Sequence, residues 1–286
     1  MAKSTVTVED LRRSTRITLE QAGIESSEIE SNILVCEAFG WASSELIAYA
    51  PNPAPLEGIE CLNQMLARRI KHEPIAYILG KQPFWSLEFL VTPDVLIPRP
   101  ETEGVVERAL SCLKEIGNPL IVDVGTGSGA ILLSVLHERK DATGVGLDVS
   151  ASALDIAKLN ADKLEMADRA QFVLSDFLSE FDQRADIIVS NPPYITDKAM
   201  KNLPRTVVDY EPEMALRGVR HGLSAYEAII AKLTEALKPQ GSIVFEIGYD
   251  QGEAVAGLLR AAGFTQILID QDLAGHDRVV SGKISA

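Results

Sequence analysis

Through residues 1 to about 72 the apolar positions recur with a helical period. Thr7 ahead of Val8-Glu-Asp-Leu11 reads as a helix start with acids in its first turn. A second helix is expected from near Ser27 to Gly40, with Ile29, Ile33, Leu34 and Phe39 inward. A short third runs from Ser44 to Ala50, and a fourth from Leu56 carries Ile59, Leu62, Met65, Leu66 and Ile70. The pattern changes at Ile75. Ile75-Ala-Tyr-Ile-Leu79 and Phe84-Trp-Ser-Leu-Glu-Phe-Leu-Val91 are rich in β-formers and flank Gly80-Lys-Gln-Pro83, which predicts a hairpin. Two prolines then hold Leu96-Ile-Pro-Arg-Pro-Glu-Thr-Glu103 extended before a helix that begins near Thr102.

From Pro119 the pattern alternates: strand 119–124, helix 129–138, strand 142–147, helix 151–163, strand 171–174, strand 186–190. A helix from Ser224 to Leu237 stops at Lys238-Pro-Gln-Gly241; strand 242–247, helix 251–262 and strands near 265–270 and 277–283 follow. Such alternation predicts a parallel sheet with helices on both faces. The expected division is a helical region 1–72, a hairpin and linker 73–100, and an α/β domain 101–286.

Composition narrows the classes. At 286 residues, 46% hydrophobic and 24% charged, the chain can bury a sizeable core in one large domain or two smaller ones. A net charge of −14 argues against a general grip on nucleic-acid backbone and leaves room for a basic partner. Cys36, Cys61 and Cys112 are scattered and His72, His137, His221 and His276 lie far apart, so no metal site is expected and a reduced cytosolic setting is. No apolar run is long enough to span a bilayer.

The chemistry concentrates at strand ends. Asp186–Ser190 delivers Asn191-Pro-Pro-Tyr194 onto the loop at a strand's carboxyl edge, where ligands bind in open α/β sheets. Two prolines stiffen that loop and remove two donors. An Asn side-chain oxygen and the Pro192 carbonyl form an acceptor pair for an –NH2 group, with Tyr194 as a flat wall. The competing reading is an ordinary turn. Upstream, Asp123-Val-Gly-Thr-Gly-Ser-Gly-Ala130 makes a tight turn into a helix, and Asp148 ends the next strand where a ribose diol would meet it. Both features also satisfy a dinucleotide fingerprint. Asp176 and Phe177 follow the third strand, suited to holding and stacking an adenine, or else Asp176 caps a helix.

Together these elements resemble the class I S-adenosylmethionine-dependent methyltransferases, and Asn191-Pro-Pro-Tyr194 resembles their amino-group-methylating branch. Across the whole chain the resemblance is to the release-factor glutamine methyltransferases. It is carried by Ile75–Gly80 with Phe84-Trp85, Ile97-Pro-Arg-Pro-Glu-Thr-Glu103, the glycine-rich loop, Asn191–Tyr194, Glu211-Pro-Glu-Met-Ala-Leu216 and Phe245-Glu-Ile-Gly248. One departure stands at Gly218-Val-Arg-His-Gly-Leu223, where the family pattern is Gly-Gly-x-Asp-Gly-Leu.

The resemblance implies a Rossmann-like doubly wound sheet with an N-terminal helical bundle. It implies methyl transfer from S-adenosylmethionine, leaving S-adenosylhomocysteine, to the glutamine amide in the Gly-Gly-Gln motif of a peptide-chain release factor. Gly125, Thr126, Gly127, Ser128, Gly129, Asp148, Asp176, Phe177 and Asn191 would line the cofactor. Asn191, Pro192, Pro193, Tyr194, Arg99 and Glu101 would meet the substrate, with Asn191, Pro192 and Tyr194 at the reaction itself. The helical region would dock the factor; the enzyme is expected to be a cytoplasmic monomer without direct nucleic-acid or membrane contacts. Methylation of adenine in DNA or RNA, or of a ribosomal-protein glutamine, is the alternative.

Overall fold

The computed structural model describes residues 3–285. Strand β1 (Lys3–Thr7) leads into helix α1 (Val8–Gln21), which starts where the Thr7 hydroxyl accepts the Asp10 amide at 3.1 Å. Helices α2 (Ser27–Phe39) and α3 (Ser43–Tyr49) follow, then β2 (Pro53–Pro55) antiparallel to β1, then α4 (Leu56–Arg69) and α5 (Ile75–Leu79). Leu19, Leu34, Val35 and Leu62 are fully buried at the centre of this unit, which ends at Gly80 and also includes Pro204–Tyr210. The Tyr210 hydroxyl donates to the Lys71 carbonyl at 2.8 Å within it.

Three expectations fail here. Ile75–Leu79 is helix, not strand: Pro74 presets the entry with φ −55° and Gly80, at φ 71°, closes the helix after five residues. On α2 the buried stripe is Ser27, Glu30, Ser31, Leu34 and Val35, so Ile29 (65% exposed) and Ile33 (37%) face solvent. Glu30 takes a buried place because Arg69 on α4 meets it at 2.5 Å, and that turns the helix face. Ile70, also expected on the α4 stripe, is exposed.

The second unit comprises Lys81–Leu203 and Glu211–Ala286. It opens on the hairpin β3 (Lys81–Phe84) and β4 (Leu87–Leu90). Phe84 and Phe89 enter the main core, the Trp85 amide donates to Glu103, and buried Asn160 pairs with both the amide and the carbonyl of Leu90. A 3-10 turn (Pro100–Thr102) precedes α6 (Glu103–Cys112). Then β5 (Leu120–Val124), α7 (Ala130–Glu138), β6 (Thr143–Asp148), α8 (Ala151–Lys163), β7 (Ala170–Leu174) and β8 (Ala185–Ser190) alternate as expected.

Short helices α9 (Asp197–Met200), α10 (Arg205–Val208) and α11 (Glu213–Leu216) occupy the crossover, α10 belonging to the first unit. Next come α12 (Ser224–Ala236), β9 (Leu237–Glu246), α13 (Gly252–Ala261), β10 (Phe264–Gln271) and β11 (Asp277–Ile284). The seven-stranded sheet runs β10-β11-β9-β8-β5-β6-β7. Its β9-β8-β5-β6-β7 part is parallel, whereas β11 pairs antiparallel with both β9 and β10, so the sheet is mixed. Strand β9 also begins at Leu237, five residues before its expected start. A register shift opposite Ala185–Ile187 and a left-handed Gln240 (φ 65°) absorb the Lys238–Gly241 turn into the strand. Helices α6, α7 and α12 bury their apolar faces against the sheet as two clusters, one on Leu132, Leu136 and Ile187, the other on Tyr226, Ile229 and Phe245.

Candidate active site

The parallel register puts five strand ends at one edge. Val124 lies opposite Leu147 and Ser190, Asp148 opposite Leu174, and Ser190 opposite Phe245. The loops leaving β5, β6, β7 and β8 therefore carry the glycine-rich turn, Asp148, Asp176-Phe177 and Asn191 along a single rim. Residue Glu246, at the end of β9, joins them.

The glycine-rich turn is held from beneath. Gly125 and Thr126 amides donate to the Leu147 carbonyl at 2.8 and 2.9 Å, and the Gly127 amide donates to Asp148 Oδ2 at 2.9 Å. Asp148 Oδ1 takes the Ser150 amide at 2.9 Å, so its carboxylate is fixed at both oxygens while each keeps acceptor capacity. Gly125 (φ 74°) and Gly127 (φ 54°) adopt backbone that L side chains rarely take, and a Cβ on either would meet no atom within 4 Å. The turn thus borders open space. Ser128 is buried, with its carbonyl bonded to Asn160 Nδ2 at 2.9 Å, and Gly129 opens α7. Open room along glycine backbone and a preset carboxylate at its rim fit a nucleoside-bearing cofactor.

Asp176 is exposed, and a turn, not a helix, follows it, so it caps nothing. Phe177, at φ 49°, is half-buried against the cluster around Val124 and Leu147. Beneath the turn, Asp123 is wholly buried. It accepts the Thr126 hydroxyl at 2.7 Å on one oxygen and leaves the other without a partner. Burial pushes its carboxyl up to about 7, against the lowering pull of the Thr126 hydroxyl.

On the substrate side, Pro192 is buried and Asn191, Pro193 and Tyr194 are half-buried. Asn191 Nδ2 donates to Thr102 Oγ1 at 3.3 Å, and the Thr102 hydroxyl donates to Glu246 Oε2 at 2.5 Å. The Tyr194 hydroxyl reaches Glu246 Oε1 at 3.5 Å. Burial pushes the Glu246 carboxyl up to about 7 and the Tyr194 phenol well above its ordinary range. Arg99 is not free: it pairs at 2.5 Å with buried Glu211, whose other oxygen takes the Ile97 amide, so it braces the Pro98–Pro100 segment. Glu101 is exposed, and its charge adds to the upward shift of Glu246. The structure thus brings Asn191 and Tyr194 together through Thr102 and Glu246, two residues that sequence reasoning did not assign. The signal for Glu246 was present: an acid inside the apolar run Ile243-Val-Phe-Glu-Ile247 is costly unless it serves something.

Residues 10–80 match the family model described as the PrmC N-terminal domain, and residues 107–210 match the Methyltransferase small domain. A release factor glutamine methyltransferase of Caulobacter vibrioides is 39% identical over 265 residues, covering 92% of each chain. One from Bradyrhizobium diazoefficiens is 40% identical over 283 residues, covering 96% of this chain and 94% of its own. Among solved structures, a methyltransferase of Pyrococcus furiosus superposes with a TM-score of 0.52 at 13% identity, covering 78% of this chain and all of its own, a likeness of fold.

Proposed function

This chain belongs to the release factor glutamine methyltransferase family, and on that premise we propose how its residues carry the reaction. It is an S-adenosylmethionine-dependent protein-glutamine N-methyltransferase acting on a peptide-chain release factor. The bound cofactor supplies a methyl group on a sulfonium.

Gly125–Gly129 and Asp148 would hold the cofactor, with Asp148 on its ribose diol, and Asp176 and Phe177 would flank the adenine. Asn191 Oδ1 and the Pro192 carbonyl accept the two hydrogens of the glutamine amide. Held in the amide plane, those hydrogens fix the nitrogen lone pair perpendicular to it. With S-adenosylmethionine bound, the lone pair so oriented would take up its methyl group, leaving the thioether, and one amide proton would pass to water. Orientation and exclusion of water supply the rate. Tyr194 walls the substrate plane, and Arg99 supports the site through Glu211.

The helical unit contributes no titrating group to this chemistry in the proposal. Its exposed Ile29 and Ile47, the latter 77% accessible, favour a role in docking the body of the release factor. No helix among the described residues is long and apolar enough to cross a membrane. A soluble translation factor as substrate favours a cytoplasmic enzyme working as a monomer, without holding nucleic acid itself.

The observation that carries the reading of the site is the fixed Asn191 amide beside a proline-stiffened carbonyl. Asn191→Ala should lower methyl transfer to release factor by about 100-fold or more, while cofactor affinity stays within about 1 kcal/mol of the parent. Calorimetric titration alongside a radiolabelled transfer assay measures both. Near-parental turnover in the variant would refute the clamp, and adenine methylation in duplex DNA would refute the substrate.

A further inference from the structure

An Asn side chain offers an acceptor on one side and two donors on the other, and a half-turn about its last bond exchanges them. Only one of the two settings serves an –NH2 substrate. With Oδ1 toward the cleft the amide hydrogens of the glutamine find an acceptor. With Nδ2 toward the cleft two donors face each other and the clamp repels what it should hold. Something must choose the setting before substrate arrives, because the two are nearly equal in shape.

The choice is made at Thr102. Its hydroxyl carries a single proton, and that proton goes to Glu246 Oε2 at 2.5 Å. An ionised carboxylate accepts only, so the hydroxyl cannot turn its proton elsewhere without leaving Oε2 of a buried carboxylate unbonded, the Tyr194 hydroxyl reaching only Oε1. Thr102 Oγ1 is then an acceptor on its remaining side, and Asn191 Nδ2 fills it at 3.3 Å. Thr102 is 4% exposed and Glu246 3%, so water does not compete at either. The three residues come from the turn before α6, the loop after β8 and the end of β9, joined over sequence separations of 89 and 144 residues.

We infer that Thr102 and Glu246 are positioning residues for the methyl-transfer reaction: the Glu246 carboxylate orders the Thr102 hydroxyl, which locks the Asn191 amide with its oxygen toward the substrate. This inference rests on the clamp proposed above. It gives Glu246 a task that does not include touching substrate or removing its proton.

The lock has a polarity, and protonation of Glu246 reverses it. A protonated carboxyl can donate to Thr102 Oγ1, which frees the threonine proton to point at Asn191 and favours the amide's wrong setting. The groups facing that carboxyl are Thr102 and Glu101 from the turn, Tyr194 from the loop, Tyr226 from α12, whose hydroxyl donates to the Glu246 backbone carbonyl, and Arg278 from β11. Burial and Glu101 raise the carboxyl, to about 7, while Thr102, Arg278 and Tyr194 hold it down. Turnover is expected to fall as pH drops through that value.

Three variants of the full chain test the lock, with kcat and KM on intact release factor, cofactor affinity by calorimetry and thermal unfolding as readouts. Thr102→Val keeps the shape and removes the hydroxyl, and its kcat should fall by about 10- to 100-fold with cofactor Kd within about 2-fold. Thr102→Ser restores the hydroxyl and should recover to within about 3-fold of the parent. Glu246→Gln cannot ionise, so its kcat should be lowered and lose the acid limb seen in the parent. Thr102→Val turnover within about 2-fold of the parent would overturn the inference. So would a Thr102→Ser loss as deep as that of Thr102→Val, or a cofactor affinity that falls in step with turnover. Should Thr102→Val fail to fold, the pH profiles decide alone: the same acid limb in parent and Glu246→Gln overturns the lock. A parent chain that leaves release factor unmethylated overturns the functional reading and the lock with it; an active parent matched by Thr102→Val overturns the lock only.

Discussion

The two units bury carboxyl groups in opposite ways. In the helical unit Glu30, 7% exposed, meets the Arg69 guanidinium through both oxygens, at 2.5 and 3.0 Å, and Ser26 adds a hydroxyl at 2.8 Å. In the methyltransferase unit Asp123 and Glu246 are as deeply buried, yet their direct side-chain partners are hydroxyls of Thr126, Thr102 and Tyr194. A bidentate guanidinium fixes charge. Hydroxyls satisfy geometry without neutralising charge, so desolvation lifts both carboxyls to about 7. Glu30 holds α2 on α4, whereas the two buried carboxyls of the methyltransferase unit change charge near neutral pH.

The comparison can be broken most forcefully at Arg69. Arg69→Met leaves Glu30 buried without its counter-charge and should cost about 3–5 kcal/mol, measured by urea unfolding. Replacing both, Glu30→Leu with Arg69→Met, should recover most of that loss. A single-variant cost below about 1 kcal/mol would show that the pair does not anchor the helices.

The sheet edge should respond to pH instead. Asp123 and Glu246 have folded-state values near 7 against ordinary values of 3.8 and 4.5. Between those limits the folded chain holds more protons than the unfolded one, so stability falls as pH rises through the window. The lowered carboxyls Asp10, Asp141 and Asp272 lose their contribution only at lower pH. Unfolding free energy should therefore increase, by on the order of 1–3 kcal/mol, when pH drops from about 8 to about 5.5. Turnover should move the other way over the same range. A stability profile that rises with pH there would contradict the raised carboxyls.

The smallest effect sharpens the contrast from the surface. Ile29→Lys and Ile47→Lys should each shift stability by less than about 0.5 kcal/mol, because both side chains are exposed. Together they should reduce kcat/KM on intact release factor while leaving a Gly-Gly-Gln peptide unaffected. Equal use of both substrates by parent and variant would remove docking from the helical unit.

Periodicity made the alternating elements of the second unit legible because each strand is a short apolar run bounded by turn residues. It misplaced Ile29 and Ile33, since apolar residues lie on several sides of α2 and only the Glu30–Arg69 pair settles which side is covered. It misread Ile75–Leu79, where β-formers are overruled by Pro74 and Gly80 at the two ends. The strand-end residues were legible from spacing, because parallel register necessarily gathers consecutive carboxyl ends. Thr102 was not: its partner Asn191 is 89 residues away, and nothing in Pro-Glu-Thr-Glu says which hydroxyl turns inward. The pairing of Arg99 was not legible either: its partner Glu211 lies 112 residues downstream, out of reach of any local pattern.

The segment after α11 carries a consequence for how this sequence can drift. A Cβ on Gly218 would lie 2.8 Å from the Tyr194 backbone, and one on Gly222 2.3 Å from the Tyr194 carbonyl oxygen. The Ile195 amide bonds to the Leu216 carbonyl, and the Gly218 amide bonds back to Ile195. The two glycines shared with the family pattern are those pressed on the tyrosine, whereas the departures, Val219 and His221, fall between them, and Val219 is 60% exposed. Mutational freedom is thus segregated residue by residue along one short stretch. Position 219 can be rewritten while 218 and 222 keep the clamp in register, whereas His221, at φ 65°, is held to residues that tolerate left-handed backbone; a reporter group placed at 219 would sit beside the clamp without pressing on it.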